Sequence, residues 1–229
     1  MSLADQSGGR GKDATPGLFI TFEGGEGCGK STQVARLAAW LGERGIEAVT
    51  LREPGGTAIG EHIRTLLQFT PEAHGMAPET ELLLFAASRA QLVREVIVSR
   101  LRNGAFVVSD RFHDSTTVYQ GAGRKLDAAP VAAINAFAIG ATLPDVTFLI
   151  DLPVDVARAR MMRRPRPAGV PDRMESLPEE FYETVRNGYL RLAESEPERF
   201  VVIDGTKSVE LVFAKIVACL GQRFPDRFK

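Results

Sequence analysis

The sequence predicts an α/β fold of three layers, a parallel sheet with helices on both faces. Three observations predict it. Short apolar runs alternate with stretches of helical periodicity along most of the chain, the pattern of strands joined by crossover helices. Runs such as Phe106-Val107-Val108 are apolar without alternation, which suits strands buried on both sides. The residues just past each run are charged or glycine-rich, and that rim is where open parallel sheets hold ligands.

The first strand is read over Leu18–Phe22, and residues 23–32 after it are Glu-Gly-Gly-Glu-Gly-Cys-Gly-Lys-Ser-Thr. Gly24, Gly29, Lys30 and Ser31 fit the spacing G-x-x-x-x-G-K-[ST] of a phosphate loop. Glycines let backbone N–H groups turn inward around phosphate oxygens. The expected phosphate-binding set is Gly24, Gly25, Glu26, Gly27, Cys28, Gly29, Lys30, Ser31 and Thr32. Lys30 would reach the β- and γ-phosphates, and the Ser31 hydroxyl would hold Mg²⁺. A glycine-rich stretch can also be a chance turn. Here a helix follows over Ser31–Arg44, with Val34, Leu37, Ala38 and Leu41 at helical spacing and Gly45 as its stop, so the context is strand, loop, helix.

The second strand, Ala48–Leu51, ends in Arg52, Glu53, Pro54, Gly55 and Gly56; helices follow near Gly60–Leu67 and Glu79–Arg102. On the second of these, Phe85 and Arg89 share a face, four residues apart. An aromatic beside a fork of donors suits a stacked base, but the plainer reading is core packing with a snorkelling arginine. The third strand, Ala105–Ser109, ends in Asp110-Arg111. Such an acid can order Mg²⁺ directly or through water, or position a nucleophile. Arg111 can grip a phosphate with its planar fork; the plain alternative is an ion pair closing a strand.

Helix Pro130–Ile139 leads to a fourth strand, Val146–Ile150, ending in Asp151. Helix Val154–Arg164 carries Arg158, Arg160, Arg163 and Arg164, with Arg166 beyond, and runs into Pro165, Pro167, Gly169 and Pro171. A basic helix end passing into a proline-rich loop suits a lid that brings guanidinium charge onto a transferred phosphate. A solvated helix face or an RNA-binding patch would show the same charges. Helix Pro178–Ser195, a fifth strand over Arg199–Ile203 ending in Asp204-Gly205, and helix Ser208–Leu220 complete the pattern.

Composition narrows the function. With 28 basic and 29 acidic residues the net charge is −1, so no global field favours bulk nucleic-acid binding. Two cysteines, Cys28 and Cys219, make no disulfide framework and suit a reducing compartment. No stretch has the roughly 18 uninterrupted apolar residues of a spanning helix, and a cytoplasmic protein is expected. Residues 1–17 read as a loose tail and 18–229 as one domain. His62, His74 and His113 lack metal-ligand spacing. The chain has no Asn-Lys-x-Asp guanine reader, which argues against a GTP switch.

Six strings carry a resemblance: residues 22–32, Arg52–Thr57, Leu84–Arg89, Asp110-Arg111, Val118–Gly121 and Asp172–Glu175. With them the chain resembles the bacterial thymidylate kinases, among the P-loop nucleoside monophosphate kinases. The resemblance runs from about Leu18 to the last helix. It implies a P-loop NTPase fold with a five-stranded parallel sheet and an Arg-rich lid at about 157–175. It implies phosphorylation of dTMP to dTDP with ATP and Mg²⁺, and a homodimer; another P-loop nucleoside or nucleotide monophosphate kinase is the alternative. By resemblance, Phe85 stacks on thymine, Arg89 bonds its exocyclic oxygen, and Thr116 and Gln120 line the base pocket. Arg111 grips the dTMP phosphate, and Arg64 and Glu53 lie on the acceptor side. Glu26 meets the 3′-hydroxyl, and Tyr119 crowds out a ribose 2′-hydroxyl. Many eukaryotic relatives carry an arginine inside the phosphate loop; this chain has Glu26, Gly27 and Cys28 there. The charge is then expected from the lid, from Arg160 and Arg164 with Arg163 beside them. The segment between Arg164 and Asp172 holds more prolines than the family pattern.

Overall fold

The computed structural model of the chain describes residues 16–163 and 172–228. Arg164, Arg166, the lid prolines and most of the expected tail lie outside these residues. Five strands form one parallel sheet: β1 (Phe19–Glu23), β2 (Ala48–Arg52), β3 (Phe106–Asp110), β4 (Val146–Asp151) and β5 (Phe200–Asp204), in the order β2-β3-β1-β4-β5. The strand bearing the phosphate loop is therefore central. β1 is wholly buried, whereas the edge strands β2 and β5 are partly exposed.

Alternation along β1 feeds two layers. Leu18, Ile20 and Phe22 pack with Val34, Leu37 and Leu41 of α1 (Lys30–Gly42) and with Val212, Ile216 and Leu220 of α9 (Val209–Arg223). Phe19 packs on the opposite face with Leu92, Val93, Ile97, Phe112 and Ile139. On that same side Leu149 meets Val118, Tyr119, Val185 and Tyr189.

The remaining helices are α2 (Ala58–Phe69), α3 (Pro78–Leu92), α4 (Val98–Arg102), α5 (His113–Thr116), α6 (Ala128–Ile139), α7 (Val154–Met162) and α8 (Glu179–Ser195). The helix expected over Glu79–Arg102 is α3 and α4 joined through a π-helical turn, Val93–Ile97. A second π-helical segment, Thr117–Gly123, continues α5, and the sequence reading placed no helix there. Residues Asp114 to Val118 include several weak helix formers; tertiary bonds hold the segment instead. Asp114 takes a bidentate pair from Arg199 at 2.6 and 2.8 Å, and Asn135 Nδ2 donates to the His113 carbonyl and to Thr117 Oγ1. No helix of the described residues is long and apolar enough to cross a membrane.

Candidate active site

The site grows from the carboxyl ends of three adjacent strands. Register sets Asp110 of β3 beside Phe22 of β1 on one side and Arg52 of β2 on the other. The phosphate loop leaves β1 through Gly24 at φ 137°, where a Cβ would stand 2.6 Å from the Ile150 carbonyl oxygen. Only glycine fits there. Gly29, at φ 101°, offers no side-chain cap to α1, so the first N–H groups of that helix are left for an anion. Lys30 is buried, and its ammonium donates to the carbonyls of Gly24 at 3.1 Å and Gly25 at 2.8 Å. Ser31 Oγ donates to Asp110 Oδ2 at 2.5 Å.

These residues open onto a polar chamber of about 660 Å³ lined by Glu26, Lys30, Ser31, Arg64, Asp110 and Arg111, among others. Glu26, Glu53, Gln68 and Arg111 are shared with a second pocket of about 330 Å³, walled by Phe85, Thr116, Tyr119, Gln120 and Met174. Among the described residues, five buried side-chain atoms lack a hydrogen-bond partner. Three of them, Glu53 Oε1, Gln68 Oε1 and Thr116 Oγ1, belong to residues lining that second pocket. Buried polar atoms are normally paired, so their concentration here marks a place built for a polar ligand.

Arg111 stands between the two spaces. Its backbone is left-handed, φ 75°, an uncommon state for a residue other than glycine. It is tied down by its amide, which donates to the Phe22 carbonyl, and by its own carbonyl, which accepts from Ser109 Oγ. Its guanidinium donates to Glu26 at 2.6 Å, Tyr119 OH at 3.1 Å, Ser115 Oγ at 3.1 Å, Tyr189 OH at 3.3 Å and the Gly24 carbonyl at 3.1 Å. Burial opposes its charge, but Glu26, the two tyrosines and Glu23 outweigh that and hold its pKa well above the ordinary value.

Glu23 supports this group from beneath. It accepts from the Phe112 amide at 2.7 Å, Ser115 Oγ at 2.6 Å and Tyr189 OH at 2.7 Å. Burial, reinforced by the Asp114 charge, pushes its carboxyl up to about 7. Two other buried carboxylates flank the pocket. Glu53 pairs with Arg89 at 2.7 Å, and burial raises its pKa despite the pair. Glu81 accepts from Arg124, Arg173 and Gln120; burial acts against its ionisation, but these bonds prevail and hold its pKa low.

The structure thus gathers Lys30, Ser31, Arg64, Asp110 and Arg111 around the chamber and Glu26, Glu53, Phe85, Thr116, Tyr119 and Gln120 around the pocket. Arg89 lies directly behind the pocket wall, paired with the lining residue Glu53. It is 1% exposed and bonded to Glu53, to Asn135 Oδ1 and to the Phe112 carbonyl, and is not among the pocket's lining residues. Arg160 donates to the Gly205 carbonyl at 3.0 Å, and Arg163 is exposed at the end of α7. Arg164 lies outside the described residues. Sequence reasoning missed Glu23, Gln68, Glu81, Ser115 and Tyr189. Glu23 lay inside a recognised string, and Glu81 and Ser115 close to one; Gln68 and Tyr189 lay well away from any.

A phosphate loop on a central parallel strand, facing a half-buried arginine and a pocket walled by an aromatic ring, defines the class: a nucleotide phosphotransferase of the P-loop type. A family model described as thymidylate kinase matches residues 22–216, and the chain belongs to the thymidylate kinase family. It is 49% identical over 200 residues to a thymidylate kinase of Fervidobacterium nodosum, covering 87% of this chain and 96% of that protein. It is 48% identical over 213 residues to one of Geobacter sulfurreducens, covering 92% of this chain and all of that one. Its fold matches the crystal structure of thymidylate kinase from Ehrlichia chaffeensis with a TM-score of 0.71 at 35% identity, over 90% of this chain and 99% of that chain.

Two outcomes test the buried charges. Glu23 binds its proton more tightly folded than unfolded, since about 7 exceeds its ordinary 4.5. Its contribution to stability is therefore full below pH 4.5 and lost as pH rises through 7. Wild type should lose stability relative to Glu23→Gln across that window in denaturant titrations; a constant difference would refute the assignment. Arg89→Ala strands the buried Glu53 charge and should cost about 3–5 kcal/mol. A loss inside about 0.5 kcal/mol, the range of neutral surface changes, would show that the pair is not structural.

Proposed function

We propose that the chain transfers the γ-phosphoryl group of ATP to dTMP, giving ADP and dTDP. The observation that carries this reading is the grouping of unpartnered Glu53, Gln68 and Thr116 atoms in a pocket walled by Phe85. That pocket opens past Arg111 into the chamber of the phosphate loop. A pyrimidine base would stack on Phe85 and meet those polar atoms, which places its 5′-phosphate toward Arg111. Tyr119, fixed by its bond to Arg111, would stand against the sugar, and Glu26 would face the 3′-hydroxyl.

On the donor side, Gly24 to Thr32 would wrap the ATP phosphates. Lys30 would exchange the Gly24 and Gly25 carbonyls for phosphate oxygens. Ser31 Oγ and the Asp110 carboxylate are adjacent hard oxygen donors, the donor set Mg²⁺ prefers, and this ion is held by few protein ligands beside phosphates and water. Bound there, Mg²⁺ would offset phosphate charge. The chemistry itself asks mostly for alignment and positive charge. The attacking phosphate oxygen is already ionised near neutral pH, so no strong base is required. Arg111 would lower the repulsion between the two anions and hold the acceptor in line.

The arginine-rich stretch of α7 and beyond would close over the phosphates, with Arg160, Arg163 and Arg164 as the candidate contacts. Arg160 would trade one carbonyl bond for a phosphate. A homodimer is supported by exposed apolar side chains on three neighbouring helices: Ile59, Leu66 and Phe69 on α2, Leu83 on α3 and Phe137, 83% exposed, on α6. Clustered apolar surface of this kind marks an interface.

A coupled assay across nucleosides and nucleoside monophosphates with ATP and Mg²⁺ tests the substrate. Turnover should be greatest with dTMP; a preference for another acceptor would reassign the pocket. Lys30→Ala should lose about 10²–10³-fold or more in kcat with the fold retained, as for loss of a preorganised charge contact. Near-wild-type kcat would overturn the donor site. Phe137→Asp should convert a dimer to monomer in sedimentation velocity, and an unchanged mass would remove this face as the interface.

A further inference from the structure

Glu81 belongs to none of the strings that define the site, yet it is 1% exposed and fully engaged. Its Oε1 accepts from Gln120 Nε2 at 2.7 Å and Arg124 Nε at 3.1 Å. Its Oε2 accepts from the Arg124 guanidinium at 3.0 Å and the Arg173 guanidinium at 2.6 Å. Two cations on one carboxylate keep it ionised, and an ionised carboxylate can only accept.

Gln120 has a donor end and an acceptor end, nearly identical in shape. Beside a carboxylate only the donor end makes a hydrogen bond, so the orientation is chosen by Glu81. Gln120 lines the pocket next to Phe85 and Thr116. With its nitrogen committed to Glu81, its oxygen is the end left for a ligand.

We propose that Glu81 is a positioning residue that sets base selectivity, by holding the Gln120 amide with its oxygen toward the pocket. The inference rests on the reading that this pocket takes a pyrimidine nucleotide. A pyrimidine-2,4-dione such as thymine or uracil carries a hydrogen on N3 and donates it. A 4-aminopyrimidine has a bare lone pair at N3 and would face the amide oxygen as acceptor against acceptor. A freely rotating amide would serve either base; one locked by a carboxylate serves the dione. The same lock is indifferent to the 5-methyl group. Selectivity against 4-amino bases and selectivity for the methyl group are thus separable.

The test compares kcat/KM for dTMP, dUMP and 5-methyl-dCMP, the last keeping the methyl group while inverting the N3 edge. In wild type, dTMP should be strongly preferred to 5-methyl-dCMP. Glu81→Gln allows the Gln120 amide to turn and should shrink that preference by about 10-fold or more, the loss of a buried, correctly directed hydrogen bond. The ratio of dTMP to dUMP and the KM for ATP should stay unchanged, which a general collapse of the pocket would not allow. Adding Gln120→Ala to Glu81→Gln should shrink the preference no further than Gln120→Ala alone. Should Glu81→Gln fail to fold, Glu81→Asp keeps the charge for both arginines, draws back from Gln120, and should lower the same ratio. Wild type active on dTMP with an unchanged ratio in the Glu81 variants overturns the role of Glu81 alone. Wild type inactive on dTMP overturns the pocket's assignment and this inference with it.

Discussion

Everything about this site follows from holding the Arg111 guanidinium inside the protein. A cation withdrawn this far from water, with its side chain 14% exposed, is costly unless it is compensated. The compensation comes from distant parts of the chain: Glu26 and Gly24 in the phosphate loop, Ser115 and Tyr119 after β3, and Tyr189 on α8. Satisfying one arginine therefore locks the phosphate loop, the pocket wall and α8 to one another. The left-handed backbone at Arg111 is the local cost of aiming that side chain back across β1. Three neutral hydroxyls and one carboxylate leave the guanidinium positive enough to meet a phosphate, where several carboxylates would have neutralised it.

Three buried glutamates lie in and around the site, and their differing surroundings show how partners set their charge. Glu81 has two guanidiniums and its pKa is held low. Glu53 has one, and burial prevails. Glu23 has no direct cation, only hydroxyls and an amide, and its carboxyl moves up to about 7. Identical side chains thus differ: Glu81 is held low, whereas Glu53, with one unpaired oxygen, and Glu23 are both pushed up. Burial acts against ionisation in all three, and only the two guanidiniums with Gln120 on Glu81 outweigh it; at Glu23 the Asp114 charge adds to it.

The phosphate loop and the chemically loaded strand ends were legible in the sequence because each is a local string whose meaning depends on adjacent residues. Strand order was not, since alternating runs carry no record of which strands pair; the central place of β1 emerges only in the order β2-β3-β1-β4-β5. The helical segment after β3 escaped notice for a related reason. Its propensity is poor, and Arg199, 85 residues away, holds it. Arg89 illustrates the limit well. Its spacing from Phe85 favoured core packing, and Glu53 and Asn135 hold it there, partners that no helical periodicity could reveal. Glu81 was invisible for the same reason, since its three donors lie 39, 43 and 92 residues away.

The two flanks of the arginine-rich stretch are held with unequal strength, and that inequality bears on which part of the site is rigid. Before it, Arg160 makes a partly buried bond to one neutral carbonyl, worth about 1.5–3 kcal/mol. After it, Arg173 is buried between the Leu67 carbonyl and the Glu81 carboxylate, and breaking such a pair costs about 3–5 kcal/mol. Met174, the next residue, lines the pocket, and Tyr182 OH donates to its carbonyl at 2.7 Å. The segment after the stretch is thus fixed by buried charge, while the end of α7 is held by one bond to a neutral carbonyl and one exposed ion pair, Arg158 with Glu179. Recognition of a base needs rigid, correctly directed donors and acceptors. In the proposed reaction, charge brought to a transferring phosphate would come from an arginine that leaves its resting partner at small cost, and of the two Arg160 is held by the weaker bond.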